Sequence, residues 1–418
     1  MLRILEASDR TADLLAASGT ASARQAARVA ARIVADVKRR GDAAVVQWTR
    51  TYDGGSPRPP FEVTAAELRA GWRATPAPIR AALKQSIRHL TMVGRHQRPR
   101  PFAVTVRPGV RIEETVRPYK RVGCYVPSGR HPLPSTLLMT VVPARLAGVR
   151  EIIVACPRPT PVVLCAALEA GATRVLRIGG AQAIAALAYG TASITRVDKI
   201  VGPGNMWVAA AKNLVAQDCA VDAQAGPSEV VIYANAGNPE WIAADMVAQA
   251  EHDPDARAIF VTMNRALARR VGTAVRQQAA RYPVAAEALR RHGAIVIVSG
   301  PPAAVRLINR LAPEHLVVMN RDDARQFDTA GTVLVGRWAA PAASDYSTGS
   351  NHVLPTGGAA RFRGGLSVSD FVRISTVQRL TRRGLAGISA GAIALAEAEG
   401  LYAHAASIRV RAIRGAMR

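Results

Sequence analysis

Lysine is nearly missing from this chain of 418 residues. Of its 55 basic residues only Lys38, Lys84, Lys120, Lys199 and Lys212 are lysines, so fifty are arginines. Alanine is abundant in the same stretches, a pairing that a GC-rich codon supply produces. The formal charge of +25 is therefore read as a solvated basic surface. The arginines are scattered, and no aromatic–basic interleaving marks a nucleic-acid footprint. Aromatic residues make up only 5% of the chain against 49% hydrophobic overall, so the core must be built from Ala, Val, Leu and Ile. No run of 18 uncharged apolar residues occurs, which excludes a spanning helix of ordinary length. "MLRILEASDR" is too charged for a secretory leader, so a cytoplasmic protein is expected. Cys124, Cys156, Cys165 and Cys219 form no C-x-x-C pair, which argues against a disulfide scaffold and a cysteine-rich zinc site. There is no G-x-G-x-x-G either.

What is present is a repeated rhythm. Residues 21–50 and 65–95 have the spacing of amphipathic helices, and "RRGDAAVVQWTRTYDG" ends one at a glycine turn. From about residue 105 the pattern alternates and is Val-rich, predicting short strands. "EIIVACP", "VLRIGG" and "KIVGPGN" are apolar runs that end at Gly or Pro, separated by Ala-rich helical segments. "SEVVIYAN", "RAIFVTMN", "GAIVIVSG" and "HLVVMN" repeat the scheme. This is βαβ alternation, the signature of parallel sheets covered on both faces. Two α/β units are expected in series, joined near "DAQAGPSE" at 222–229, with a helical tail after 366.

Ligands of open α/β sheets gather beyond the carboxyl ends of strands. Gly179, Gly180 and Gln182, and then Gly202, Gly204 and Asn205, stand at such places and open helices whose N–H groups could hold phosphate, although ordinary strand–turn–helix glycines explain them equally well. "LAPEHLVV" sets Glu314 and His315 side by side between a proline and an apolar run. They are either a strand-entry cap or an acid/base pair. "VAQAEHD" puts Gln249 and His252 three apart on an expected helix face. "PAASDYSTGSNHVLPTGG" carries Asp345 and His352, and "EAEGLYAHAAS" carries Glu399 and His404. Dispersed nitrogen and oxygen donors of this kind could assemble a metal site. Each could also be structural, since no two fragments are close in sequence.

Long ordered segments decide between these alternatives. "RVGCYVPSGRHPLPSTLLMTVVPA", "IGGAQAIAALAYGT", "VDKIVGPGN", "AGPSEVVIYA", "AADMVAQAEHDPDA", "LAPEHLVV", "DYSTGSNHVLPTGGAAR" and "AEAEGLYAHAASIRVR" together resemble the histidinol dehydrogenase family along nearly the whole chain. The resemblance implies an α/β protein with two incomplete Rossmann-like domains, parallel sheets and small terminal tails. The expected boundaries are an N-terminal tail at 1–20, a first domain of 21–119 with 229–366, a second, NAD-side domain at 120–228, and a helical tail at 367–418 that reaches a partner subunit. It implies oxidation of L-histidinol to L-histidine through L-histidinal with two NAD, the last steps of histidine biosynthesis. It further implies a homodimer with one Zn2+ per subunit and no nucleic-acid or membrane partner.

Carried over by position, the zinc ligands are Gln249, His252, Asp345 and His404, and the acid/base pair is Glu314 and His315. Ser228, His352 and Glu399 join these as substrate contacts, and Tyr125, Gln182 and Asn205 touch NAD. Consecutive residues face opposite ways in a regular strand, so Glu314 and His315 must lie in an irregular turn. Cys124, beside Tyr125, is read as a bystander. Two departures from the family pattern are small-residue swaps, "PSG" at 127–129 and Ser344 before "DY". Paralogues on the same frame oxidise other small polar amino or sulfo alcohols; His352 and Glu399 favour histidinol.

Overall fold

The structure is a computed structural model that describes residues 2–8, 10–16, 20–54, 58–128, 132–222 and 226–413. Gly129 and His131 of the "PSGRH" loop, and Ala223, Gln224 and Ala225 of the expected junction, lie outside the described residues.

Strands such as "EVVIY", "RAIFVT" and "EIIVA" are buried at nearly every position. A strand apolar on both sides needs cover on both faces, and parallel sheets flanked by helices supply it. Two such sheets form. One has six parallel strands in the order Arg3–Glu6, Ala294–Ile297, Arg257–Thr262, Glu229–Tyr233, His315–Val318 and Thr332–Val335. The other has five parallel strands in the order Arg174–Leu176, Glu151–Ala155, Arg121–Tyr125, Lys199–Val201 and Ala220–Val221. In each, the order runs outward from a first strand, returns and continues on its other side. The topological switch points therefore fall between Glu229–Tyr233 and His315–Val318, and between Arg121–Tyr125 and Lys199–Val201.

The expected domain boundaries need three corrections. The helices Thr20–Arg40 and Asp42–Tyr52 do not join the six-stranded sheet. Their apolar stripe, with Ile33, Val37, Val45 and Trp48, packs into one core with Tyr125, Ile153, Ile184 and Val208 around the five-stranded sheet. Helices Ala65–Ala74 and Ala77–Gly94 pack on the same side of the chain, against Pro161–Ala170 and Pro134–Ala147. Second, residues 1–20 are not a mere tail. Arg3–Glu6 is the edge strand beside Ala294–Ile297, and Ala12 and Leu15 enter the core under Pro301–Leu311. Third, the chain divides into two compact units, Met1–Gln97 with Tyr119–Phe371, and Arg98–Pro118 with Val372–Arg418.

That second unit is more than a helical tail. Val372–Leu380 pairs antiparallel with Val110–Pro118, which pairs with Phe102–Arg107. Helices Arg382–Ala398 and Tyr402–Ile413 pack on each other. Its strand pattern was legible at 102–118, but the pairing partner lies some 260 residues later, where no local signal reveals it.

Candidate active site

The site begins with a helix that must stop. Pro301–Leu311 ends at Ala312, whose φ of 48° makes it the only non-glycine residue in the left-handed region among those described. Pro313 cannot donate to a continuing helix. The chain therefore bends at Glu314 and enters the strand His315–Val318. The carbonyls of Pro313 and Glu314 accept from Gly331 N and Thr332 N, each at 2.9 Å, and lock the bend to the next strand. Glu314 and His315 are 6% and 2% exposed. A buried carboxylate needs donors; Glu314 Oε2 accepts the Glu229 backbone N–H at 2.7 Å across the switch point.

His315 lies between two carboxylates. Its Nδ1 is 3.2 Å from the Glu229 carbonyl and 3.7 Å from Glu314 Oε2, and its Nε2 is 3.6 Å from Asp345 Oδ1. The last two distances are too long for hydrogen bonds, so these are charge contacts. Burial opposes an imidazolium here, but Asp345 and Glu314 outweigh it and raise His315 to about 10. Nδ1–H pointing at a carbonyl leaves Nε2 as the reactive nitrogen. Nε2 is buried and has no hydrogen-bond partner among the described residues, so it is the ring nitrogen left open toward Asp345.

Asp345 lies on the short helix Pro341–Tyr346. Burial pushes its carboxyl up, but the contact with the His315 imidazolium outweighs that and holds it below the usual range. His352 Nδ1 donates to the Asp345 carbonyl at 2.8 Å, and its Nε2 lies 3.2 Å from Thr136 Oγ1. Burial lowers His352, so it is neutral near pH 7. Ser344, the swap before "DY", satisfies its hydroxyl on the Pro341 carbonyl at 2.8 Å and needs no rearrangement.

Gln249 and His252 do not share a helix face as the spacing suggested. The helix Pro239–Ala250 is capped by Glu251, and His252 sits exposed in the bend beyond. Pro254 disfavours helix at the residue before it and ends the run early. Gln249 is buried, and its helix packs on that of Asp345. Glu314, His315, Asp345 and His352 thus meet, with His252 close enough for its charge to act on Asp345. Ser228 precedes Glu229, half-buried at the same sheet edge.

That edge was not foreseen. Glu314, His315, Ser228 and Glu229 all stand at the amino ends of their strands, opposite the edge where open sheets usually hold ligands. Glu229 was missed altogether. It opens an otherwise apolar strand just as the Glu314–His315 pair does, and that was the available signal. Its carboxylate takes Arg257 Nη1 at 3.0 Å and Gly357 N at 3.3 Å. Burial pushes it up to about 7, Arg257 opposes this, and Glu314 adds to it. It faces a cavity of about 170 Å³ lined also by Arg257, Pro313 and Arg361.

The expected NAD residues do lie at carboxyl ends, those of the five-stranded sheet. Tyr125 closes Arg121–Tyr125; its buried hydroxyl accepts from Gly180 N at 3.1 Å. Gln182, 1% exposed, starts the helix Gly180–Tyr189 and donates from Nε2 to Asp53 Oδ2 at 3.0 Å. Asn205 is exposed and caps Met206–Val215 through Val208 N at 3.1 Å. Between Tyr125 and Asn205, Gly202 has φ +113°, and a Cβ there would lie 2.1 Å from the Tyr125 carbonyl oxygen. Only glycine fits. Behind this turn Lys212 and Asp222 form a buried ion pair that grips Gly202: Lys212 Nζ donates to its carbonyl at 2.5 Å, and its N–H donates to Asp222 Oδ2 at 2.6 Å. Burial pushes the Cys124 thiol up to about 12, so no thiolate forms there near neutral pH.

Glu399 caps Arg382–Ala398 and His404 lies on Tyr402–Ile413, both exposed and both in the second unit. Among the described residues no three His, Cys, Asp or Glu side chains cluster as a metal site. The donor chemistry still suits zinc: amide oxygen, imidazole nitrogen and carboxylate from Gln249, His252 and Asp345.

The chain matches the family model for histidinol dehydrogenase over residues 17–412. It is 43% identical over 391 residues to a histidinol dehydrogenase of Methanothermobacter thermautotrophicus, covering 90% of this chain and 91% of that one. It is 41% identical over 416 residues to that of Gluconobacter oxydans, covering 97% and 96%. The crystal structure of histidinol dehydrogenase from Elizabethkingia anophelis superposes with a TM-score of 0.91 at 29% identity, covering 98% of each chain. A match of this extent, on a frame that buries a glutamate and a histidine side by side, makes this chain a member of the histidinol dehydrogenase family of oxidoreductases.

Proposed function

We propose that the protein oxidises L-histidinol to L-histidine by way of L-histidinal, with two NAD and one Zn2+ per subunit, as the last steps of histidine biosynthesis. The observation that carries this is the buried Nε2 of His315, without a hydrogen-bond partner among the described residues, facing Asp345 and flanked by Glu314. Zinc bound by Gln249, His252, Asp345 and His404 would orient the substrate's amine and imidazole as nitrogen ligands and offset the Asp345 charge that holds a proton on His315. NAD bound at the carboxyl edge near Tyr125, Gln182 and Asn205 would accept hydride.

The chain's own groups handle the protons. His315 Nε2 takes the hydroxyl proton as the alcohol becomes the aldehyde. One Glu314 oxygen is held by Glu229 N, so the carboxylate is oriented to draw a proton from water and form the hydrate. His315 gives its proton to the aldehyde oxygen as the hydrate forms, and then accepts the hydrate's proton in the second oxidation. Ser228 and neutral His352 contact the substrate, and Glu399 pairs with its imidazole or amine.

We also propose a homodimer with exchanged tails and a site shared between subunits. The second unit leaves Phe102, Val104, Val106, Ile374 and Leu395 exposed, apolar surface that a partner chain would cover. Its Glu399 and His404 are exposed and available to a partner's site. No helix of the described residues is long and apolar enough to cross a membrane, and a cytoplasmic location is the reading in keeping with this substrate.

The deciding assay is NADH formed per L-histidinol, with and without a chelator. Two NADH per substrate, lost on chelation and restored by zinc, is expected. No NADH from a folded, zinc-loaded sample would sink the substrate and direct the search to other small polar alcohols.

A further inference from the structure

The five-stranded sheet holds a charged corner that the proposed chemistry does not use. Asp53 ends the helix Asp42–Tyr52. Phe61 and Val63 run antiparallel to the edge strand Arg174–Leu176, through Arg177 N on the Phe61 carbonyl and Val63 N on the Val175 carbonyl, both at 2.8 Å. This brings the Asp53 segment along the sheet's carboxyl edge. One Asp53 oxygen takes the Gln182 amide at 3.0 Å, and the other has no partner among the described residues. Arg158 follows Glu151–Ala155, the second strand of the sheet counted from the switch point. Its backbone N–H donates to Ser128 Oγ and its Nη2 to the Ser128 carbonyl, both at 3.2 Å, so the guanidinium is held at the rim. Pro157 packs against the turn of the third strand so closely that a Cβ on Gly179 would sit 2.6 Å from it. Asp53, Arg158 and Gln182 therefore share one corner. Arg158 acts electrostatically on Asp53, but no salt bridge joins them.

In doubly wound dinucleotide folds, a carboxylate beside the crevice accepts from the ribose hydroxyls, whereas an arginine accommodates a 2′-phosphate. This corner contains both. Asp53 is half-buried and Arg158 exposed, so the carboxylate's charge is the less screened of the two. We propose that Asp53 reads the ribose hydroxyls of the bound dinucleotide and repels a 2′-phosphate, so that it, against Arg158, sets the preference for NAD over NADP. This rests on the reading that the crevice takes a nicotinamide dinucleotide.

Fluorescence titration of the full-length, zinc-loaded protein with NADH and with NADPH tests it without catalysis. NADH should bind the unaltered protein more tightly than NADPH. Asp53→Asn should weaken NADH and strengthen NADPH, shifting the ratio of the two Kd values by about tenfold or more, the worth of one charge-assisted hydrogen bond. Arg158→Ala, at an exposed side chain, should shift the ratio the other way. Equal weakening of both ligands by Asp53→Asn, as Gln182→Ala is expected to give, would make Asp53 a mere support for Gln182 and overturn the proposal. An unshifted ratio in both variants would overturn it too. Failure of the unaltered protein to bind either ligand would instead remove the dinucleotide reading on which it stands.

Discussion

Lys212→Met is the substitution whose cost the structure defines best. The Lys212 and Asp222 side chains are 2% and 3% exposed. Removing the ammonium leaves the buried Asp222 carboxylate with the Gly202 N–H and only the more distant charge of Lys199. Breaking a buried pair from one side costs about 3–5 kcal/mol. An upper bound comes from proton uptake: neutralising an ordinary carboxyl costs about 4 kcal/mol at pH 7 and about 1.5 kcal/mol at pH 5. The loss should therefore approach 4 kcal/mol at pH 7 and shrink toward pH 5. Urea unfolding followed by tryptophan fluorescence measures it as the midpoint shift at a common slope. Lys212→Met with Asp222→Asn should recover part of the loss, because no charge is then left unpaired. A loss below about 1 kcal/mol at pH 7, near the worth of an exposed pair, would refute the claim that this pair is dry and holds the Gly202 turn. So would a loss that does not change with pH.

Glu314→Gln and His315→Ala should each lower kcat by about 10²–10⁴, the usual worth of a positioned acid or base. Far-UV circular dichroism should stay unchanged, and a kcat within a few-fold of the parent would remove either from proton transfer. Mixing inactive His404→Ala chains with inactive Glu314→Ala chains should restore activity if the site is shared; no recovery, with exchange confirmed by tagged copies, would place the site within one chain. Asp36 accepts from Arg39, Arg40 and the Trp48 indole, with Arg40 the largest influence, and these hold its carboxyl well below its ordinary 3.8. A depressed carboxyl stabilises the fold above the unfolded value and loses that contribution as pH falls through the folded one. Acid titration of thermal stability should thus show a decline below about pH 4 that Asp36→Asn flattens, and an unchanged slope in the variant would contradict the assignment.

Local pattern went far here for a physical reason. The apolar runs ending at Gly or Pro, such as "KIVGPGN" and "EIIVACP", lie on the period and turn chemistry of parallel strands, and each is a strand. Glu314 and His315 were conspicuous because two solvated side chains stood at the entry of a strand with no other polar residue. Boundaries and partners were less legible. Gly41 splits an apparently continuous helical stretch in two, and Pro254 removes His252 from its helix. Neither Asp53 nor Glu229 stood out, since each is notable only for what it faces.

The sequence by itself determined the α/β class, most of the parallel strands, the glycine turns and the family, because these follow from periodicity, backbone limits and long ordered motifs. Tertiary structure alone decided that the helices Thr20–Arg40 and Asp42–Tyr52 join the core of the five-stranded sheet, and that Arg3–Glu6 edges the six-stranded one. It also decided that 110–118 pairs with 372–380, and that Glu314 and His315 sit at the amino end of their strand. Those outcomes depend on which apolar surfaces meet across hundreds of residues. The amphipathic helices carry similar small and aliphatic stripes, so composition does not distinguish one possible partner from another. Only the packing of a specific pair of surfaces does.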